Sequence, residues 1–155
     1  MKLLVHKRLN KLYNQTGMQY GKLVQKLLAI AFCTAGARQV IERAIQGIDL
    51  EIELPDGRKI AVEVKTTNKR SLKLSPKDLD GLATQIKAER EPYFAVLGSQ
   101  MTDKLMFVRY IEGEIKANNK YPLSSFATFR DDSLERWIEN DFDNAVCNYS
   151  NLSED

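Results

Sequence analysis

The 155-residue sequence has only two cysteines, Cys33 and Cys147, a lone histidine, His6, and a lone tryptophan, Trp137. Two distant cysteines with no CxxC pair exclude a disulfide framework and a zinc cluster, and leave reduced structural thiols. One histidine argues against Ser-His-Asp or Cys-His nucleophilic chemistry. Long apolar runs are missing too: Leu23 to Cys33 is interrupted by Gln25 and Lys26 and falls short of the ~20 residues that span a bilayer. No apolar core followed by a small-residue cleavage site opens the chain, so the expectation is a cytoplasmic protein with no membrane partner. Internal repeats and long linkers are also absent.

What is present is the balance of a globular protein, 43% hydrophobic and 28% charged, in a length that suits one domain. The net charge of +2 hides an asymmetry. Residues 1–130 carry 22 Lys and Arg against 13 Asp and Glu, whereas residues 131–155 carry 1 against 8. A basic body with an acidic C-terminal appendage is the footprint expected of a surface that meets phosphates.

Apolar periodicity and cap signals divide the chain as follows. A basic helix over 2–14 carries Lys2, Lys7, Arg8 and Lys11, and a second helix spans 19–35, with Gly36 as its left-handed cap. Strands are expected over Gln39 to Ala44, Ile48 to Leu54 and Ile60 to Thr66. Ser75-Pro76-Lys77-Asp78 reads as a capped helix start, with Ser75 at the N-cap, Pro76 at the first position and Asp78 completing a capping box. Strands over Tyr93 to Leu97 and Leu105 to Ile111 follow. A last, acidic helix over residues 132–147 begins at Asp132 or Ser133 and buries Leu134, Trp137, Ile138 and Phe142. The order α-α-β-β-β-α-β-β-α describes an α/β fold with a mixed sheet flanked by helices, its core at residues 19–111 of one domain.

The segment Ile48-Asp49-Leu50-Glu51-Ile52-Glu53-Leu54 alternates strictly, and Pro55-Asp56-Gly57 fits a three-residue hairpin loop with glycine at the left-handed position. Such a loop sets the register: Glu53 opposite Lys59, Ile52 opposite Ile60, Leu50 opposite Val62 and Ile48 opposite Val64. Asp49 then faces Glu63, with Lys65 one pleat further on. Facing carboxylates repel, so a positive group between them is expected. A divalent cation beside Lys65 satisfies that need, with Asp49, Glu63 and the Val64 carbonyl as ligands of Mg²⁺, for which Mn²⁺ would substitute. From alternation alone, Asp49, Glu51, Glu53, Glu63 and Lys65 fit the solvated face of an amphipathic hairpin better still.

Gly47-x-Asp49 followed across a hairpin by Glu63-Val64-Lys65-Thr66 resembles the PD-(D/E)XK nuclease superfamily, with Gly47 where the motif's Pro often stands. The surrounding order of helix, three strands, helix and strand, from Gln19 to Gly98, is similar to the superfamily's restriction-endonuclease-like core. Within it the chain looks most like small Holliday junction resolvases, because Gly21 heads the preceding helix, Thr66-Thr67 and a basic loop follow the motif, and a Pro92-led strand comes after the next helix. The resemblance implies metal-dependent hydrolysis of DNA phosphodiesters, with Asp49 and Glu63 on the metal and Lys65 on the water. It also implies double-stranded or branched DNA as partner and a homodimer or higher homo-oligomer. In those resolvases the residue four after the glycine is a metal-binding acid; here it is Gln25, which would assist as a neutral ligand or stand as a plain helix residue. Lys69, Arg70 and Lys73 would reach phosphates, and Gln85 on the next helix is a weaker candidate. Two other readings stay open. One is a site-specific restriction or homing endonuclease using the first helix and Ile115 to Arg130 for recognition; the other is an inactive, nuclease-derived DNA-binding module.

Overall fold

The computed structural model describes residues 2–16, 19–43, 48–98 and 104–149. Gly47 of the motif and Ala44 of the first expected strand lie outside the described residues.

Helix α1 (Leu3–Thr16) buries Val5, Leu9 and Leu12, the stripe that a 3.6-residue period puts on one face. Helix α2 (Tyr20–Thr34) is more thoroughly enclosed, with Leu23, Val24, Leu27, Leu28, Ala31 and Phe32 all buried. It ends as expected at Gly36, whose φ of 101° lets the Ala37 N–H turn back to the Phe32 carbonyl at 3.0 Å.

Strands β1 (Gln39–Glu42), β2 (Leu50–Glu53) and β3 (Lys59–Thr67) form an antiparallel meander. In the β2–β3 turn Gly57 sits at φ 90°, and the Leu54 N–H donates to the Arg58 carbonyl at 2.8 Å. The resulting pairs Glu53 with Lys59, Ile52 with Ile60 and Leu50 with Val62 are those the loop predicts. Next come the short strand β4 (Ser71–Lys73) and helix α3 (Pro76–Lys87), and together they make the crossover that lets β5 (Glu91–Gly98) run parallel to β3. Ser75 and Asp78 close the expected capping box at the start of α3. Strand β6 (Met106–Arg109) completes a five-stranded mixed sheet of order β1-β2-β3-β5-β6.

Alternating side chains send Leu50, Ile52, Ile60, Val62, Tyr93 and Ala95 to one face, under α1, α2 and the last helix α4 (Asp132–Asn148). Trp137 of α4 packs on Phe32, ring centroids 6.0 Å apart, so it is a core residue. Ala61, Phe94, Val96 and Val108 face the other way, against Leu82 of α3. That second face differs from the expectation in one respect. The segment assigned to DNA recognition in the restriction-enzyme reading folds onto the sheet instead. Ile115 and Phe126 are buried there, strand β7 (Lys120–Pro122) pairs with β4, and the 3-10 run Leu123–Phe129 brings Phe126 edge-on to Phe94. Among the described residues, no helix is long and apolar enough to cross a membrane.

Candidate active site

The β2–β3 ladder ends at Leu50 and Val62, two pairs short of the Asp49–Glu63 and Ile48–Val64 pairs that strict alternation predicts. Ile48 does not pair with Val64; it turns to the opposite face and is buried beside Ala61. Asp49 is therefore not a ladder partner of Glu63. It sits in the bend before β2, and its Oδ2 accepts the Val64 N–H at 2.8 Å, replacing the backbone acceptor the ladder no longer supplies. A strand residue that points its N–H to one edge points its carbonyl there too, so the Val64 carbonyl lies on Asp49's side of β3.

The bend still brings the two carboxylates close enough to repel. The Glu63 carboxyl is pushed up to about 7, first by burial and then by the charge of Asp49, against the opposing pull of Lys65. Asp49 is also raised, by burial, although the Val64 N–H and the charges of Lys22 and Lys65 hold it back. Lys65 Nζ lies 3.4 Å from Glu63 Oε1 and 2.8 Å from Asp78 Oδ1. Burial disfavours its ammonium, but the two carboxylates more than compensate and the pKa is raised. Asp78 is half-buried, yet its bond to Lys65 and the Ser75 N–H keep its carboxyl below the usual range. Asp78 therefore does two jobs: Oδ2 caps α3 and Oδ1 fixes the lysine. The capping motif pointed to the first and gave no sign of the second.

One buried and one half-buried carboxylate that hold protons too tightly, with a strand carbonyl at their edge, form a hard oxygen donor set that suits Mg²⁺ or Mn²⁺. Among the described residues, no three His, Cys, Asp or Glu side chains converge as a metal cage. Mg²⁺ does not require one, since it is commonly held by one or two carboxylates and keeps several waters.

The other predicted residues separate. Gln25 is buried on α2, and its amide donates to Glu42 Oε1 of β1 at 3.3 Å, so its described contact is with neither Asp49 nor Glu63. Gln85 is buried and accepts from Arg90, which also reaches Glu51 at 3.5 Å. Glu51 is buried rather than solvated and pairs with Arg43 at 2.8 Å. Lys69 and Lys73 line a cleft of about 750 Å³, together with Thr66 and Thr67 at the end of β3, Lys120, and Tyr13 and Tyr20. Arg70 borders a different cavity, with Met106 and Leu123. The two tyrosines were not singled out by sequence, because Tyr13 and Tyr20 belong to different helices and meet only in the fold.

The sheet order, the parallel β3–β5 pair and the flanking helices define a restriction-endonuclease-like α/β fold. A solved structure with this fold is Hjc of Archaeoglobus fulgidus, described as a Holliday junction resolvase from an archaeal hyperthermophile; it matches with a TM-score of 0.59 over 76% of this chain and 97% of that one, at 18% identity. A likeness at that identity is one of fold. No protein-family model matches the sequence, and no curated protein is significantly similar to it.

Proposed function

We propose that the protein is a metal-dependent DNA endonuclease that acts on branched DNA and works as a homodimer or higher homo-oligomer. The observation that carries this reading is the convergence of Asp49, Glu63 and Lys65 at the end of the β2–β3 hairpin, in a fold shared with a Holliday junction resolvase. Asp49, Glu63 and the Val64 carbonyl would hold Mg²⁺, which, when bound, lowers the pKa of water and shields phosphodiester charge. Lys65 keeps its proton at neutral pH because Asp78 and Glu63 stabilise the ammonium. It therefore serves as a fixed positive donor that orients water and stabilises developing phosphoryl charge, not as a general base. Glu63 must give up its proton to bind a cation, so metal affinity should climb with pH up to about 7 and level off above it. Lys69 and Lys73 would take phosphates beside the cut, contacts that position DNA without reading its sequence.

The test is a cleavage assay in Mg²⁺ on linear duplexes, splayed duplexes and four-way junctions. Cutting of branched forms with linear DNA spared is the expected result. Cutting of one linear sequence alone would replace this reading with a site-specific endonuclease. A second reading, a DNA-binding module without catalysis, is favoured by Gln25 standing where the resolvases' acid stands; tight binding with no cleavage of any DNA would establish it.

A further inference from the structure

The cleft of about 750 Å³ opens where β3 runs on from Lys65 through Thr66 and Thr67, next to the catalytic residues. Its volume lies within the ~300–1,000 Å³ of clefts that enclose a small molecule. Lys69, Lys73 and Lys120 supply three cations, Asn10, Asn68 and Ser71 add neutral polar groups, and no acid is among its described lining residues. One wall is aromatic. Tyr13 and Tyr20 meet edge-to-face with centroids 5.3 Å apart, and Tyr13 is 43% exposed.

Cations alone would suit any phosphate backbone. Tyrosine in the same cleft is a different signal, because bases inside a duplex are stacked on one another and cannot reach a recessed ring. A groove that combines lysines with an accessible aromatic is the usual arrangement for unpaired strands, where a base stacks on the ring regardless of its identity. We propose that this cleft receives an unpaired nucleotide at a DNA branch point, its base against Tyr13 and its phosphates among Lys69, Lys73 and Lys120. This inference rests on the nuclease reading and names what selects branched over continuous DNA. Thr67 is two residues from Lys65 on β3, so the cleft adjoins the proposed hydrolytic site.

The test measures binding in EDTA, so that no cleavage intervenes, using a splayed duplex with 2-aminopurine at its first unpaired position and a closed duplex of equal length. The splayed DNA should bind more tightly, with its fluorescence quenched by stacking. Tyr13→Ala should weaken that complex roughly 5- to 150-fold, the usual range for losing one stacked base, and leave the closed duplex unchanged. Tyr13→Phe should restore both affinity and quenching. Lys120→Gln gives a second probe that does not alter α1, and it should weaken the splayed complex more than the closed one. Equal affinity for the two DNAs, or equal loss on both with Tyr13→Ala, would overturn the proposal and leave the nuclease reading standing. No binding to either DNA would overturn both.

Discussion

Glu63→Gln should make the metal-free protein more stable at pH 8 and leave it unchanged at pH 4.5. In the folded chain Glu63 takes up its proton at about 7, against 4.5 for an unperturbed carboxyl. Between those values the folded chain holds a proton that the unfolded chain has released, so wild-type stability falls as pH rises from 4.5 to about 7 and is level above it. The loss amounts to roughly 3 kcal/mol at pH 8. Gln cannot ionise and escapes that loss, while Lys65 keeps Asp78 as its partner and is not left unpaired. The repulsion from Asp49 is one of the causes of the Glu63 shift, so it is already contained in this figure. For a chain of this size, roughly 3 kcal/mol corresponds to a gain of roughly 6–12 °C in Tm. Thermal and urea denaturation in EDTA from pH 4.5 to 8.5 would measure it. A difference between the two proteins that stays constant across this range would refute the assignment of Glu63 as a buried, repelled carboxyl. Adding Mg²⁺ at pH 8 should then stabilise the wild type, by ~2.7 kcal/mol at one hundred times Kd, and have little effect on the variant.

Asp78→Asn removes the carboxylate charge and leaves one acceptor oxygen where two now serve Lys65 and the Ser75 N–H, at a cost of ~1–3 kcal/mol by denaturation. The Lys65 pKa should fall with it, since burial then acts against one carboxylate instead of two; an NMR titration of Lys65 that does not move would separate the residues. Gln25→Glu places a carboxylate in a buried position beside Glu42, so it should destabilise the metal-free protein by at least ~1 kcal/mol at pH 8, and by less at pH 4.5. Unchanged stability at pH 8 would mean that the Gln25–Glu42 contact does not form in solution. Lys73→Gln should flatten the dependence of log Kd on log salt by ~0.9, whereas Arg70→Gln should not, because Arg70 borders another cavity. Equal slopes for the two variants in fluorescence anisotropy would show that DNA follows the loop rather than the cleft.

The hairpin register was legible because Pro55-Asp56-Gly57 admits few loop geometries and apolar pairs fall into line on either side of it. The same logic carried too far at Ile48 and Asp49. Alternation describes a strand only while the ladder lasts, and here a side chain, Asp49, takes over a backbone acceptor's role at Val64. Glu51 looked solvated because an acid between apolar neighbours usually is; its burial depends on Arg43 and on Arg90, the latter 39 positions away. Strands β4 and β7 are three residues each, too short for a period of two to register, and each forms only because the other is there. Ile115 to Arg130 reads as an addition to the core, and only the fold shows Phe126 packed against Phe94. The bond from Lys65 to Asp78 and the tyrosine-walled cleft escaped notice for one shared reason. Their partners come from other elements, so no local spacing announces them.

The central claim is that Asp49, Glu63 and Lys65 form one hydrolytic site, and Mg²⁺-dependent cleavage of a four-way DNA junction by the wild type and by Asp49→Asn, Glu63→Gln and Lys65→Ala tests it most directly. With circular dichroism showing each variant folded, the wild type should cut in Mg²⁺ and not in EDTA, and every variant should lose cleavage while still binding the junction. Full activity in any one variant would remove that residue from the site. Cleavage by all three at the wild-type rate would contradict the account.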